Sequence, residues 1–331
     1  MRSKGRFAKF FAAPRALSLA AAVLLPALLP GLCDGASFSR EAAGTSSGEF
    51  LTIAVSARCA AMGEACSALA NDASALYWNP AGLMDVAGRS LVFMHAPYLA
   101  DTVFDYAAYA QNVPDVGSWG VSVQYMNMGD IAGTNASGQD TGSFRPYDVA
   151  VTLGFATYIS GLNKYPEERF VLGAGAKIVS SKITQRDSTI AADAGLLTPY
   201  MFDNKFRLSL TVSNMMGSLR YYQESFPLPL TLRAGSRALI AKSWDFTADL
   251  VAVQDSYPFI AMGTEIRAQI GKTTRLALRG GFNTRSVSDY EGFRNVSMGL
   301  GLGGSFLTVD YAFTPFGDLG NAQRLSCSLS F

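Results

Sequence analysis

From about residue 88 onward, apolar and polar residues alternate with a period of two, and turn-forming residues interrupt the alternation at intervals. The final segment shows this most clearly, since an Arg or a Ser precedes each of its apolar residues, Leu325, Cys327, Leu329 and Phe331. The same alternation is found at 206–214, 244–253, 274–282 and 306–313. A period of two is typical of β-strands whose two faces meet different environments.

We identify fourteen such segments, which begin near residues 89, 103, 117, 144, 168, 189, 206, 228, 243, 257, 273, 295, 305 and 323. An even strand number is typical of bacterial outer-membrane barrels, and so is an alternation of long and short connections. The long connections are 128–143, 181–188, 216–227, 284–294 and 315–322. The short ones are 113–116, 200–205, 240–242, 269–272 and Gly304, and 158–167 is an exception because it is long for a periplasmic turn.

We therefore predict an all-β fold, a transmembrane antiparallel up-and-down β-barrel of about 14 strands formed by residues 89–331 in the bacterial outer membrane. Hydrocarbon cannot satisfy backbone donors and acceptors, so every strand edge must be paired by closure. The apolar stripes would then face membrane lipid. A soluble β-sandwich is the alternative, because its strands alternate as well. An aromatic Phe331 at the end of the last strand favours the barrel, since it resembles the signal read by the outer-membrane assembly machinery.

Residues 1–35 are predicted to be a signal peptide. A basic head precedes an apolar stretch at 16–32, and small residues follow it. A membrane anchor is the alternative, but Pro26 and Pro30 interrupt the stretch. Lipidation at Cys33 is a second alternative, although Leu32 stands where a small residue is expected.

The composition argues against several classes of function. The chain carries 27 basic and 26 acidic residues with no basic patch, so we expect no nucleic-acid partner. It has one histidine, His95, without the Ser and acid pairing that nucleophilic catalysis needs. Clustered metal ligands and phosphate-binding glycine loops are lacking in the sequence. We expect no enzymatic activity and no cofactor.

Cys59 and Cys66 lie seven residues apart in a segment that is predicted to be helical. A rise of 1.5 Å per residue separates them by about 10 Å, which is too far for a disulfide unless the helix breaks. Isolated buried thiols are the expected state of the cysteines.

Residues 36–88 differ from the rest of the chain and are predicted to fold into the barrel as a plug. The run Ser56–Ala70 is rich in helix formers, whereas Pro80 and Gly82 prevent a helix further on. Its apolar residues would line the plug, and they are Phe50, Leu51, Ile53, Leu69, Leu76 and Trp78.

This N-terminal region resembles a known family. The stretch 56–83, which includes NDASALYWNPAGL, is similar to the N-terminus of the PorV/PorQ family, which is related to FadL-type long-chain fatty acid transporters. The Asn-Pro-Ala triplet is shared with the FadL hatch. The segment 309–313 and the final Leu-Ser-Phe are similar to the closing hairpin of that family.

The resemblance implies a fourteen-strand outer-membrane barrel with an N-terminal hatch. Carried over by position, Asn79, Pro80 and Ala81 would form the hatch element, and Asn79 would bond to the barrel wall. A plain helix-terminating turn is the alternative for this triplet. The implied function is uptake of long-chain fatty acids or other hydrophobic compounds. The alternative is a PorV-like role in type IX secretion, in which the barrel shuttles protein cargo to the cell surface. A merely structural surface barrel is a third option.

The predicted lumen carries charged residues of both signs, which are Arg207, Arg233, Arg237, Asp245, Asp249, Glu265, Arg267, Arg275, Arg279, Asp310 and Arg324. They could attract an anionic head group, or they could pair with one another and with the plug. The loop 216–227 is aromatic, and it is predicted to be either a partner-binding lid or part of the aromatic girdle.

Overall fold

The computed structural model describes residues 38–39, 42–159, 169–285, 295–317 and 320–331. The predicted signal peptide with Cys33, most of the turn 158–167 and most of the loop 284–294 lie outside the described residues. The helices are short. They are α1 (Ala57–Ala61), α2 (Ala75–Trp78) and two 3₁₀ helices, Glu49–Thr52 and Pro80–Asp85. Within the described part of the chain, none is long and apolar enough to cross a membrane.

The strands follow one another along the rest of the chain. They are β1 (Arg89–Pro97), β2 (Val103–Val113), β3 (Gly117–Asn127), β4 (Ile131–Thr134), β5 (Asp140–Phe144), β6 (Tyr147–Tyr158), β7 (Val171–Lys182), β8 (Arg186–Leu197), β9 (Phe206–Met215), β10 (Ser218–Tyr221), β11 (Glu224–Pro227), β12 (Thr231–Ala241), β13 (Trp244–Val253), β14 (Phe259–Gln269), β15 (Arg275–Asn283), β16 (Val296–Gly303), β17 (Leu307–Pro315) and β18 (Asn321–Ser330).

Fourteen of these strands form one closed antiparallel barrel, which confirms the predicted number. Sequential strands pair with one another, and β1 pairs with β18 to close the cylinder, with Ser90 opposite Ser330. The remaining four strands form two hairpins, β4–β5 and β10–β11, within long connections. We call the end of the barrel with these hairpins the long-loop end and the opposite end the short-turn end.

Two predicted connections differ from the structure. Residue 144 begins no barrel strand, because it ends the hairpin strand β5, and the wall resumes at Tyr147. The connection predicted at 181–188 is only three residues long, since β7 and β8 pair up to Lys182 and Arg186. Polar residues at both strand ends look like a loop in the sequence, although their backbones continue the ladder.

The alternation places apolar residues outside and polar residues inside, as predicted. On β18, the outward-facing Leu325 is 54% exposed, whereas its neighbour Arg324 is 2% exposed. The outer surface is therefore largely apolar, and the polar residues of the wall face the N-terminal segment.

The cysteine prediction was wrong, because Cys59 and Cys66 form a disulfide with a Cα–Cα distance of 5.7 Å. The helix predicted over Ser56–Ala70 ends at Ala61, and Gly63 and Glu64 take positive φ angles of 64° and 73°. These two residues reverse the chain and bring the cysteines together. Cys327 is free, as expected.

Candidate functional site

The N-terminal segment, residues 46–86, runs through the barrel from the long-loop end to the short-turn end. At the long-loop end, the backbone N–H and the hydroxyl of Ser46 donate to the carboxylate of Asp255, in the turn after β13. The backbone N–H of Ser47 donates to the carbonyl of Pro227 at 2.8 Å, which joins the segment to the β10–β11 hairpin. Leu219 and Leu228 of that connection are fully buried beside Gly48.

In the middle of the segment, Arg58 forms a two-bond ion pair with Glu265 of β14. Its Nε and Nη2 atoms donate to the two carboxylate oxygens, each at 2.9 Å. Arg279 donates to the same carboxylate at 2.7 Å and to Asp310 of β17 at 2.7 Å. Burial favours the neutral guanidine, but the charge of Glu265 holds the pKa of Arg58 above its ordinary value. The segment is thus tied to a buried charge network on the wall.

Small polar side chains of the wall satisfy backbone groups of the segment around the barrel. The backbone N–H groups named below make no hydrogen bond within a helix, and a buried N–H group needs an acceptor. The bonds are Ala57 N–H to Ser326 at 3.2 Å, Gly63 N–H to Ser297 at 3.0 Å, Ser67 N–H to Asp249 at 3.0 Å and Ala73 N–H to Ser90 at 3.1 Å. These four bonds reach β18, β16, β13 and β1.

Asn79 holds the segment to the wall near the short-turn end. Its Nδ2 donates to the carbonyl of Leu196 on β8 at 3.3 Å and to the carbonyl of Ser67 at 3.1 Å. Its Oδ1 accepts from the N–H of Ala81 at 3.0 Å and caps the 3₁₀ helix that Pro80 begins. The expected bond from Asn79 to the wall is therefore present, and a gating role for the triplet stays a prediction.

Two wall glycines allow this approach. A Cβ at Gly195 would overlap the side-chain oxygen of Asn79, and a Cβ at Gly173 would overlap the backbone of Pro80 and Ala81. Larger residues at these two positions would push the triplet away from β7 and β8.

At the end of the segment, Asp85 is paired with Arg207 of β9. Arg207 also donates to the carbonyl of Thr198 at 2.9 Å and stacks on Tyr200. Burial raises the pKa of the Asp85 carboxyl, and the charge of Arg207 opposes this shift.

The residues predicted to line the plug lie together in one apolar core. Five of them are 3% exposed or less, and Ile53 is partly buried against the same core. Trp78 donates its indole N–H to the carbonyl of Val55 at 3.2 Å, and Arg233 stacks on its ring. These side chains pack among themselves and on the wall.

Most of the predicted lumen charges are buried and paired. Asp245, for example, lies between Arg237 at 2.7 Å and Arg267 at 2.5 Å. Arg275 differs, because it is exposed at the short-turn end, where it donates to the carbonyl of Gly304. In the structure these charges pair with one another and with the segment, which is the second of the two predicted alternatives.

Sequence reasoning missed an apolar strip on the inner wall. It comes from β1, β2 and β3, and its members are Val92, Met94, Phe104, Tyr106 and Met126. The signal was present, because β1 is apolar at four successive positions from Leu91 to Met94, and so on both faces. This strip packs against the same core as the segment.

Two further residues singled out by sequence lie outside this site. Phe331 is 61% exposed, and its backbone pairs with that of Arg89, the first residue of β1. Its predicted role in assembly stays a prediction. His95 faces outward, away from the segment, and contacts Asp105.

The segment packs closely against the inner wall next to Tyr77. A cavity between the segment and the wall, next to Tyr77, Lys177 and Arg233, measures about 20 Å³, which is room for about one water molecule.

Comparisons with known proteins agree with this fold. A family model described as "Type IX secretion system protein PorV" matches residues 37–237. The toluene transporter TbuX of Ralstonia pickettii has a TM-score of 0.53 and 12% identity over 83% of this chain and 98% of its own. A FadL homologue of Pseudomonas aeruginosa has a TM-score of 0.53 and 10% identity over 83% of this chain and 98% of its own.

The two structural neighbours show the fold alone, since their identities are low. None of the curated proteins compared with the chain matches its sequence significantly. The family model covers more than half of the chain, so the chain belongs to the PorV family and is a β-barrel protein of the bacterial outer membrane.

Proposed function

We propose that this protein is a type IX secretion component whose barrel is closed by its own N-terminal segment. In this role it binds secreted protein cargo at the long-loop end and delivers it to the cell surface, and no solute passes through the lumen. The outward-facing apolar residues of the wall contact membrane lipid, and the N-terminal segment acts as a permanent plug.

The proposal is supported mainly by the number of bonds that hold the N-terminal segment to the barrel wall. Among the described residues, its side chains and backbone bond to nine of the fourteen barrel strands, which are β1, β2, β8, β9, β12, β13, β14, β16 and β18. Opening a route would break the buried ion pair of Arg58 and Glu265, and separating buried charges is costly. A cargo-binding barrel does not need that opening, whereas a transporter does.

Uptake of hydrophobic compounds is a second candidate, and the apolar inner strip supports it. Val92, Phe104 and Met126 would offer an apolar path along β1 to β3 if the segment withdrew. Here the plug would be a hatch, and Asn79 would hold it shut.

A covalent lock separates the two candidates. The hydroxyls of Ser67 on the segment and Ser209 on β9 are 2.7 Å apart, so Ser67→Cys with Ser209→Cys places two thiols within bonding reach. Peptide mapping confirms the new bond, and each single variant is the matched control. The locked protein is returned to a strain that lacks the wild-type copy.

Under our proposal, the strain without the protein retains type IX cargo in the periplasm, and the locked protein restores secretion. Normal secretion in the deletion strain, or a locked protein that fails where both single variants succeed, would overturn the proposal. Uptake of a radiolabelled fatty acid that is lost in the locked protein alone would establish the second candidate.

A further inference from the structure

His95 and Asp105 form a polar pair on the outside of the barrel wall. They are cross-strand partners on β1 and β2, and Nδ1 of His95 lies 2.7 Å from Oδ1 of Asp105. Their side chains are 61% and 45% exposed. Their chain neighbours Met94 and Tyr106 are buried on the inner face, so the pair points away from the lumen.

The wall around the pair is apolar. Phe93, Leu325 and Val309 are outward-facing neighbours, and each is between 39% and 54% exposed. Ionisable groups on the outer face of a barrel cost most at the bilayer midplane and little near the interfaces, so a polar pair here suits a position where the wall meets the polar headgroups.

The pair shares a cross-strand row with two tyrosines of the outer face. On one side, Asp105 is the cross-strand partner of Tyr125 on β3. On the other side, His95 is the partner of Leu325 on β18, and Leu325 is in turn the partner of Tyr311 on β17. Tyrosines on the outer face of a barrel mark the height of the lipid headgroups. His95 is two residues from the end of β1 at the long-loop end, in agreement with that height.

Next to the pair, the outer wall has a concavity of about 550 Å³. The next outward row across the strands is Cys327, Phe93, Ala107 and Val123, and the small Ala107 leaves a dip between its larger neighbours. The concavity has an apolar floor, with the polar pair beside it.

We propose that this concavity binds one membrane lipid whose headgroup carries both a phosphate and a primary ammonium. The bond between His95 and Asp105 uses Nδ1 and Oδ1, which leaves Nε2 and the second carboxylate oxygen for a ligand. In the proposed complex both ring nitrogens of His95 are protonated: Nδ1 donates to Asp105 and Nε2 donates to the phosphate, while the second carboxylate oxygen accepts from the ammonium. The lipid chain covers the apolar floor. This charge complementarity selects a zwitterionic headgroup over an anionic one.

Native mass spectrometry of the detergent-solubilised protein tests this with three added lipids. Phosphatidylethanolamine has both groups, phosphatidylcholine lacks ammonium N–H donors, and phosphatidylglycerol lacks the cation. We expect one phosphatidylethanolamine per barrel, retained roughly tenfold more tightly than the other two, which is the effect of about one charge-assisted hydrogen bond.

Variants locate the site. Asp105→Leu and His95→Leu remove one partner each, and Ala107→Leu fills the dip but leaves the pair intact; all three should weaken retention about tenfold. Thr264→Val, on the outer face of β14 beside Trp244, is the control and should retain the lipid. Equal retention of the three lipids by the wild type, unchanged retention in Ala107→Leu, or a second protein in place of the lipid would each overturn the proposal.

Discussion

The guanidinium of Arg58 and the carboxylate of Glu265 meet through two hydrogen bonds, each 2.9 Å long, in the interior of the barrel. The two residues are 207 positions apart in the chain, so this contact exists only when the barrel has closed around the segment. Glu265 is 1% exposed and also accepts from Arg279. The pair therefore joins the N-terminal segment to a charge network that crosses several strands.

Glu265→Gln is expected to destabilise the protein strongly. It leaves Arg58 and Arg279 buried without their shared carboxylate, and removing one partner of a buried pair typically costs about 3–5 kcal/mol. The midpoint of urea unfolding in detergent measures the change. Asp130→Asn is the matched control, because Asp130 forms a similar two-bond pair with Arg145 at the surface, and it should have little effect. Equal midpoints for the two variants would contradict the assigned role.

Replacing both Cys59 and Cys66 by Ser should loosen the turn that carries Gly63. The chain-entropy model predicts a loss of about 2.5 kcal/mol for a loop of this length. Differential scanning calorimetry measures it, with Cys327→Ser as the control, since that cysteine is free. Two thiols that react with a maleimide in the folded wild type would show that the disulfide is absent.

Gly195→Ala is expected to displace Asn79 from the wall. The added methyl group would overlap the amide oxygen of Asn79, and overpacking of this kind typically costs about 1–3 kcal/mol. Hydrogen exchange of residues 79–85 should become faster. The control is Gly280→Ala, whose Cβ meets no atom closer than 3.9 Å. Unchanged exchange in Gly195→Ala would mean that the triplet is not held by this contact.

The stability of the protein should depend on the titration of Asp85. Burial raises the pKa of Asp85 in the folded state above its ordinary value of 3.8. The folded state then binds the proton more tightly than the unfolded state, so this contribution is complete below pH 3.8 and is lost as the pH rises through the folded pKa. Unfolding midpoints of the wild type relative to Asp85→Asn should therefore fall with rising pH.

The titration of Asp130 should change the stability in the opposite direction. Its hydrogen bond with Arg145 lowers the pKa of the Asp130 carboxyl. Wild-type stability relative to Asp130→Asn should rise only slightly with pH as the carboxyl loses its proton, because the pair is exposed. The same direction for both variants would contradict the environment assigned to Asp85.

The two-residue alternation predicted the strands and the inner or outer face of their side chains, but it gives no depth along the barrel. For this reason Arg275 and Arg279 looked alike in the sequence, although Arg275 is exposed at the short-turn end and Arg279 is buried in the network. The disulfide escaped prediction because helix propensities summed over Ser56–Ala70 conceal the local reversal at Gly63 and Glu64. The resemblance at 56–83 located Asn79, while its partner Leu196 required the fold.

Two features of the barrel differ in how far the sequence predicts them, the lipid-facing wall and the packing of the lumen. Apolar stripes on the strands predicted the lipid-facing wall. The second depends on contacts between residues that are far apart in the chain, such as Ser67 and Ser209, and no local pattern reveals those.

The central claim is that the N-terminal segment closes the barrel, and conductance across a planar lipid bilayer tests it most directly. We expect wild-type protein inserted in the bilayer to give no sustained current above that of the bare membrane, and Glu265→Gln to give intermittent openings. A stable open-pore current from the wild type would contradict the account.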